Sequence, residues 1–158
     1  MKKIILPLII LVSLSLSSFD NITESKIPET VQTKENSSDI VISGKIKITI
    51  DGKVYIFKLM DSKAGEELLK MLPFESSANV YHNNHYYIET PKGLSVKGLK
   101  PTRDPKKGYL VYSAEYRGLG IFFADGHFDK NEMFYIGELE GGFSDFDAKK
   151  IVQIKIEL

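Results

Sequence analysis

The stretch that decides the fold is residues 46–57, which read IKITIDGKVYIF. Isoleucine occupies positions 46, 48 and 50, and the same alternation begins upstream at Ile40 and Ile42. A period of two is that of a half-buried β-strand. Asp51-Gly52 separates this run from a second β-rich run that ends at Leu59. Because a type I′ turn needs positive φ at both central residues, and Asp-Gly tolerates it, the stretch predicts a β-hairpin.

One helix is predicted directly after the hairpin. Asp61 or Ser62 can cap its N-terminus, and Pro73 ends it. Apolar residues recur on one face at near-helical spacing, namely Ala64, Leu68, Met71 and Leu72. The segment is therefore expected to pack one side against a sheet.

Short strands dominate the rest of the chain. They are predicted at Ala78–Tyr81 and Tyr86–Ile88, as a second hairpin around Asn83-Asn84, and at Leu94–Val96, Gly108–Ser113, Leu119–Phe123, Met133–Leu139 and Ile151–Ile156. A basic loop, Gly98 to Lys107, interrupts them. About eight strands with regular turns favour a closed barrel or a sandwich, and closure protects the sheet edges.

The N-terminal region has the pattern of an export signal. Lys2 and Lys3 precede an apolar run from Ile4 to Val12, which is too short to span a bilayer. Small residues follow, and Ser15 and Ser17 fit cleavage after Ser17. We therefore expect a signal peptide over residues 1–17, a flexible polar leader over 18–39 and a barrel domain over 40–158. The protein would be periplasmic or extracellular, and an uncleaved membrane anchor is the alternative.

Composition excludes several classes of function. The chain has no cysteine, which rules out disulfides, thiolate metal sites and thiol catalysis. Its formal net charge is zero, so no field attracts nucleic acid. The spacing of a serine hydrolase triad and the glycine-rich loop that cradles phosphate are both missing. No catalytic residue is therefore assigned.

Two groups of residues have the chemistry of metal ligands. His82 and His85 could bind a metal with Glu89 or His127, and the acidic turn from Asp125 to Glu132 offers oxygen ligands for calcium. The histidine spacing is that of opposite strand faces unless a turn intervenes, and the acidic turn does not match an EF-hand loop. Surface loop histidines and an ordinary turn are favoured, so no metal or cofactor is assigned.

A set of short motifs resembles the cyclophilin-like domain family of bacteria and archaea. The motifs are Leu68–Ser76, Ala78–Tyr81, Tyr86-Tyr87 with Pro91, Gly108–Tyr112, Gly120–Phe123, Tyr135–Leu139 and Ser144–Phe146. Their order and spacing extend the likeness over about Lys45 to Leu158. The resemblance implies a mainly β fold, a closed eight-stranded cyclophilin-like barrel with one α-helix. It does not imply a known activity.

Prolyl isomerase activity is the alternative to a binding role. Genuine cyclophilins use an arginine beside a phenylalanine and a glutamine. The arginines here are Arg103 and Arg117, both in predicted loops or turns, and the glutamines are Gln32 and Gln153. The arginine–phenylalanine–glutamine pattern is therefore missing. We expect a non-catalytic binding module, with a weak isomerase or folding helper second and a purely structural envelope protein third.

The candidate binding residues are mainly aromatic. Strand alternation sends half of the aromatic side chains of neighbouring barrel strands inward and leaves the others to line an apolar cleft. The candidates are Tyr81, Tyr86, Tyr109, Tyr112, Phe122 and Phe123, with Glu75 and Asn79 as polar contacts. Packing alone is an equally good explanation of these rings. The expected ligand is a peptide segment or a small molecule, and the oligomeric state stays open.

Overall fold

The structure is a computed structural model that describes residues 42–158 apart from residues 131, 144 and 145. The predicted signal peptide and polar leader lie outside the described residues. Among the described residues, no helix has both the length and the apolar character needed to cross a membrane.

Nine strands and one helix follow each other along the chain. They are β1 (Ile42–Ile50), β2 (Lys53–Met60), α1 (Lys63–Leu69), β3 (Phe74–Tyr81), β4 (His85–Glu89), β5 (Pro101–Thr102), β6 (Tyr109–Ser113), β7 (Gly118–Phe122), β8 (Met133–Leu139) and β9 (Ile151–Glu157). Eight of the strands pair side by side in the order β2-β1-β9-β3-β4-β7-β6-β8. Strand β8 then pairs with β2, which closes the barrel, while β5 adds two residues to the edge of β8. The predicted eight-stranded closed barrel with one helix is confirmed.

The first hairpin forms as its sequence predicts. Asp51 and Gly52 both have positive φ, 49° and 82°, and Ile50 pairs with Lys53 across the turn. Ile46, Ile48 and Ile50 are all buried. The alternation of isoleucine therefore places one face of β1 inside the barrel, where apolar burial stabilises the closed sheet.

Ser62 caps the N-terminus of the helix, and its Oγ accepts a hydrogen bond from the Gly65 backbone N–H at 3.1 Å. The helix buries Ala64 and Leu68 and contacts β1 and β8. The helix is shorter than the apolar pattern predicts, because it ends at Leu69. Met71 lies in the following turn and still packs against the barrel core.

The edge strand predicted at Leu94–Val96 is wrong. The Leu94 N–H donates to the Tyr112 hydroxyl at 3.0 Å instead of to a neighbouring strand. The Leu94 side chain is nevertheless buried in the core. The short strand of this region, β5, lies instead inside the segment predicted as a basic loop.

Candidate functional site

The candidate site is a cleft on the outer wall of the barrel. Along β4 the side chains alternate: Tyr86 and Ile88 join the interior core, whereas His85, Tyr87 and Glu89 face outward. The cavity has a volume of about 490 Å³. It is lined by Tyr81, His82, His85, Tyr87, Glu89, Ser113, Tyr116, Phe128 and Met133.

Two glycines of β7 make room for the cleft's rings. Gly118 pairs with Glu89, and Gly120 pairs with Tyr87, on the neighbouring strand. A Cβ added at Gly118 would overlap the Tyr87 ring, and one added at Gly120 would come within 3.0 Å of Phe122. A glycine in a strand often marks such a close approach. The Tyr87 hydroxyl then donates to the backbone oxygen of Tyr116, which fixes this wall of the cleft.

His85 forms the floor of the cleft. It is only 4% exposed, and its ring stacks on Phe122 at a centroid distance of 4.5 Å and an interplanar angle of 12°. Burial, and to a smaller extent the charge of His82, lowers its pKa from 6.5 to about 4. The imidazole is therefore neutral at pH 7. The prediction of a surface histidine is wrong here, because β4 begins at His85 and its ring packs against both Phe122 and Phe128.

One nitrogen of His85 is free to act as an acceptor. Nδ1 lies 2.7 Å from Asn84 Oδ1, and a carboxamide oxygen only accepts, so Nδ1 carries the proton. Nε2 makes no hydrogen bond with any described residue. Among the described residues, every fully buried side-chain nitrogen or oxygen has a hydrogen-bond partner, so Nε2 is not fully buried. Nε2 is therefore open to the cavity and can accept a hydrogen bond from a ligand.

The remaining rings stand around this floor. Tyr81 meets Tyr87 edge to face, with centroids 5.7 Å apart and planes at 78°. Phe128 is perpendicular to His82 and nearly perpendicular to His85, at 5.8 Å from each. The cleft thus has one wall near Tyr87 and another at Phe128. Such a site can hold an apolar or π-interacting group and orient it with a few polar contacts.

Of the candidate residues predicted from the sequence, Tyr81 lines the cavity and is 44% exposed. Phe122 is fully buried beneath His85 and Phe128. Tyr109 lies on the same outer face but packs on Tyr135 at 4.7 Å.

The other predicted candidates lie elsewhere. Tyr86 and Tyr112 are interior side chains, and the Tyr86 hydroxyl donates to the Lys149 backbone oxygen at 2.9 Å. Phe123 packs against the interior core beside Tyr86. Glu75 and Asn79 are exposed on β3, and neither lines the cavity. Their assignment to a ligand site stays a prediction.

Most of the lining was not among those candidates. The residues that were missed are Tyr87, Ser113, Tyr116, Phe128 and Met133, and three others, His82, His85 and Glu89, were considered only as metal ligands. One sequence pattern could have pointed to them, since Gly118-Leu119-Gly120 leaves two adjacent outward positions of a strand without side chains. Neighbouring aromatic residues could then be expected to cover those positions.

Of the metal-ligand candidates, His82, His85 and Glu89 line the cavity together, whereas His127 lies apart from them. His127 bonds Asp104 at 2.6 Å and Asp129 at 3.2 Å through its two ring nitrogens, away from the cleft lining. In the described part of the chain, no group of three or more histidine, aspartate or glutamate side chains is placed to hold a metal ion. Arg103 and Arg117 do not line the cavity either.

These features define a class of protein: a closed antiparallel β-barrel with an aromatic cleft on its outer wall. The chain belongs to the Cyclophilin-like family, whose model matches residues 48–157, and the resemblance inferred from its motifs is confirmed. It is similar to a hypothetical protein of Archaeoglobus fulgidus, whose solution structure aligns with a TM-score of 0.57 and 14% identity over 77% of this chain and 98% of that one. That likeness concerns the fold alone. No curated protein matches the chain.

Proposed function

We propose that this chain is an exported, non-catalytic binding module that holds a peptide segment or a small molecule in the outer cleft. The observation that carries the proposal is the cleft itself: about 490 Å³, walled by aromatic rings and floored by a neutral imidazole. A cavity of this size that is lined mainly by aromatic side chains is typical of sites for small ligands.

The composition of the lining supports binding over prolyl isomerisation. The lining includes neither arginine nor glutamine, the residue types that genuine cyclophilins place beside their phenylalanine. A protease-coupled isomerisation assay separates the two functions. Turnover that disappears when Arg103 or Arg117 is replaced would favour the isomerase.

Ligand binding is tested by nuclear magnetic resonance with a library of small ring compounds and short peptides. We expect amide shifts confined to β4 and to the positions of the other lining residues, namely Tyr81, His82, Ser113, Tyr116, Phe128 and Met133. Tyr116→Ala should weaken any such binding, because this exposed ring lines the cavity without belonging to the core. Val54→Ala, an exposed apolar residue on β2 across the barrel, is the matched control. A library that perturbs no cleft residue would contradict the proposal.

Export is tested separately by sequencing the N-terminus of the protein recovered from outside the cytoplasm. Cleavage after Ser17 predicts a chain that starts at Ser18. Recovery of a chain that still starts at Met1 in the membrane fraction would favour the anchored alternative.

A further inference from the structure

The charge of the cleft lining is one-sided. Its one acidic side chain is Glu89, and the lining contains no lysine or arginine. Within the described residues, Glu89 forms no ion pair, although most of the acidic side chains around the barrel's first and last strands do. The cleft therefore carries a carboxylate that forms no ion pair with any described side chain.

The Glu89 carboxylate is close enough to influence the electrostatics of the cleft. Burial raises the pKa of the Tyr87 hydroxyl, and the negative charge of Glu89 raises it further. Glu89 lies two residues after Tyr87 on β4, so the two side chains share the outward face of the strand. A positive group placed against Tyr87 would thus lie close to this carboxylate.

The rings around the floor are arranged as a partial cage. Tyr81 and Tyr87 meet at 78°, and Phe128 stands at 76° to His85, so faces and edges enclose the space from different directions. The face of an aromatic ring is electron-rich and attracts a cation within about 6 Å of its centroid. His85 adds a neutral acceptor nitrogen, which suits an N–H donor of a ligand.

We propose that the ligand group held in this cleft is an organic cation, the ammonium or guanidinium head of a basic peptide side chain. The inference rests on the proposed binding function and names the chemistry of its ligand. Aromatic faces would hold the cationic head, Glu89 would offset its charge, and His85 Nε2 would accept one N–H bond. The aliphatic stem of the side chain would lie against Met133 and Phe128.

One cation of the chain itself lies near the cleft. Arg117, in the turn before β7, lowers the pKa of Tyr87, opposite in sign to the larger effect of burial. Arg117 does not line the cavity and makes no ion pair with any described residue, Glu89 included. Its positive charge therefore repels a cationic ligand from outside the cleft, but its side chain does not occupy the cleft.

The test compares capped peptides Gly-Gly-X-Gly-Gly in which X is lysine, arginine or norleucine, with n-butylammonium as a free cation. Each is titrated into the protein and followed by the amide shifts of the residues that line the cleft. We expect the lysine and arginine peptides to bind about tenfold more tightly than the norleucine peptide, as partly desolvated cation–π contacts would give. If n-butylammonium binds as tightly as the lysine peptide, the proposal that the cation belongs to a peptide is wrong.

Two amide variants separate charge from shape. Glu89→Gln should weaken the lysine peptide about threefold, the size expected for a partly exposed ion pair, and leave the norleucine peptide unchanged. Asp61→Asn, before α1 on the far side of the barrel, should change neither. Equal affinity of the norleucine and lysine peptides would overturn the cation inference while leaving the proposed binding function intact. A cleft that responds to none of these peptides and to no compound of the library would overturn both.

Discussion

Acidification from pH 7 to pH 4.5 is expected to remove about 2 kcal/mol of the free energy of unfolding through one buried imidazole, His85. Burial, followed by the charge of His82, lowers the pKa of His85 from 6.5 to about 4. Below pH 6.5 the His85 imidazole is protonated in the unfolded chain, whereas in the folded protein it stays neutral until the pH approaches 4. The stability contributed by the neutral imidazole is therefore fully present above pH 6.5 and is lost as the pH falls towards 4.

The magnitude follows from the difference between the two pKa values. At 1.36 kcal/mol for each pH unit, the full effect is roughly 3 kcal/mol, of which about 2 kcal/mol falls between pH 7 and pH 4.5. Conversion to an energy is justified because His85 is only 4% exposed.

Urea denaturation at half-unit pH steps measures the effect as a difference between the protein and its His85→Phe variant. Phenylalanine keeps a flat ring against Phe122 but cannot titrate, so its stability should fall less on acidification. The carboxylates titrate in both proteins and largely cancel. His82→Asn, which suits the positive φ of 47° at that position, removes only the smaller cause and should keep most of the slope.

Parallel stability curves for the protein and His85→Phe would falsify this account, because they would mean that His85 has the same pKa in both states. Proton resonance of the imidazole checks it directly. The ring of His85 should titrate near pH 4, well below the ordinary value of 6.5.

Three further predictions concern single contacts. Phe122→Ala should cost about 3–5 kcal/mol in urea denaturation and Phe123→Ala less, because the first ring is fully buried and the second half-buried; equal losses would contradict this. Gly118→Ala should push the Tyr87 ring off β7 and abolish ligand shifts in the cleft, and unchanged amide spectra of β4 would refute the close approach. Ser62→Ala should lower stability by about 1 kcal/mol in thermal melts, whereas Ser62→Asp should retain the cap; equal melting of all three would show that the cap contributes nothing.

Local patterns predicted those elements whose physics is local. The turn at Asp51-Gly52 depends on two backbone conformations, and the burial of Ile48 follows from a period of two. The cap at Ser62 depends on atoms three residues apart. The same reasoning failed at Leu94, because its N–H bonds the Tyr112 hydroxyl, a partner 18 residues away that no local pattern specifies.

The sequence by itself determined the class of fold, the family and the aromatic character of the candidate site. Only the tertiary structure decided which rings share a cleft. Alternation assigns the side chains of β4 to two faces. The outer face can form a cleft only because β7 lies beside β4, with Gly118 and Gly120 opposite Glu89 and Tyr87. The neutral state of His85 has the same origin, since its pKa is lowered mainly by burial against Phe122 and Phe128, which follow it in the chain by 37 and 43 positions. Contacts between residues so far apart in the sequence form only when the barrel closes.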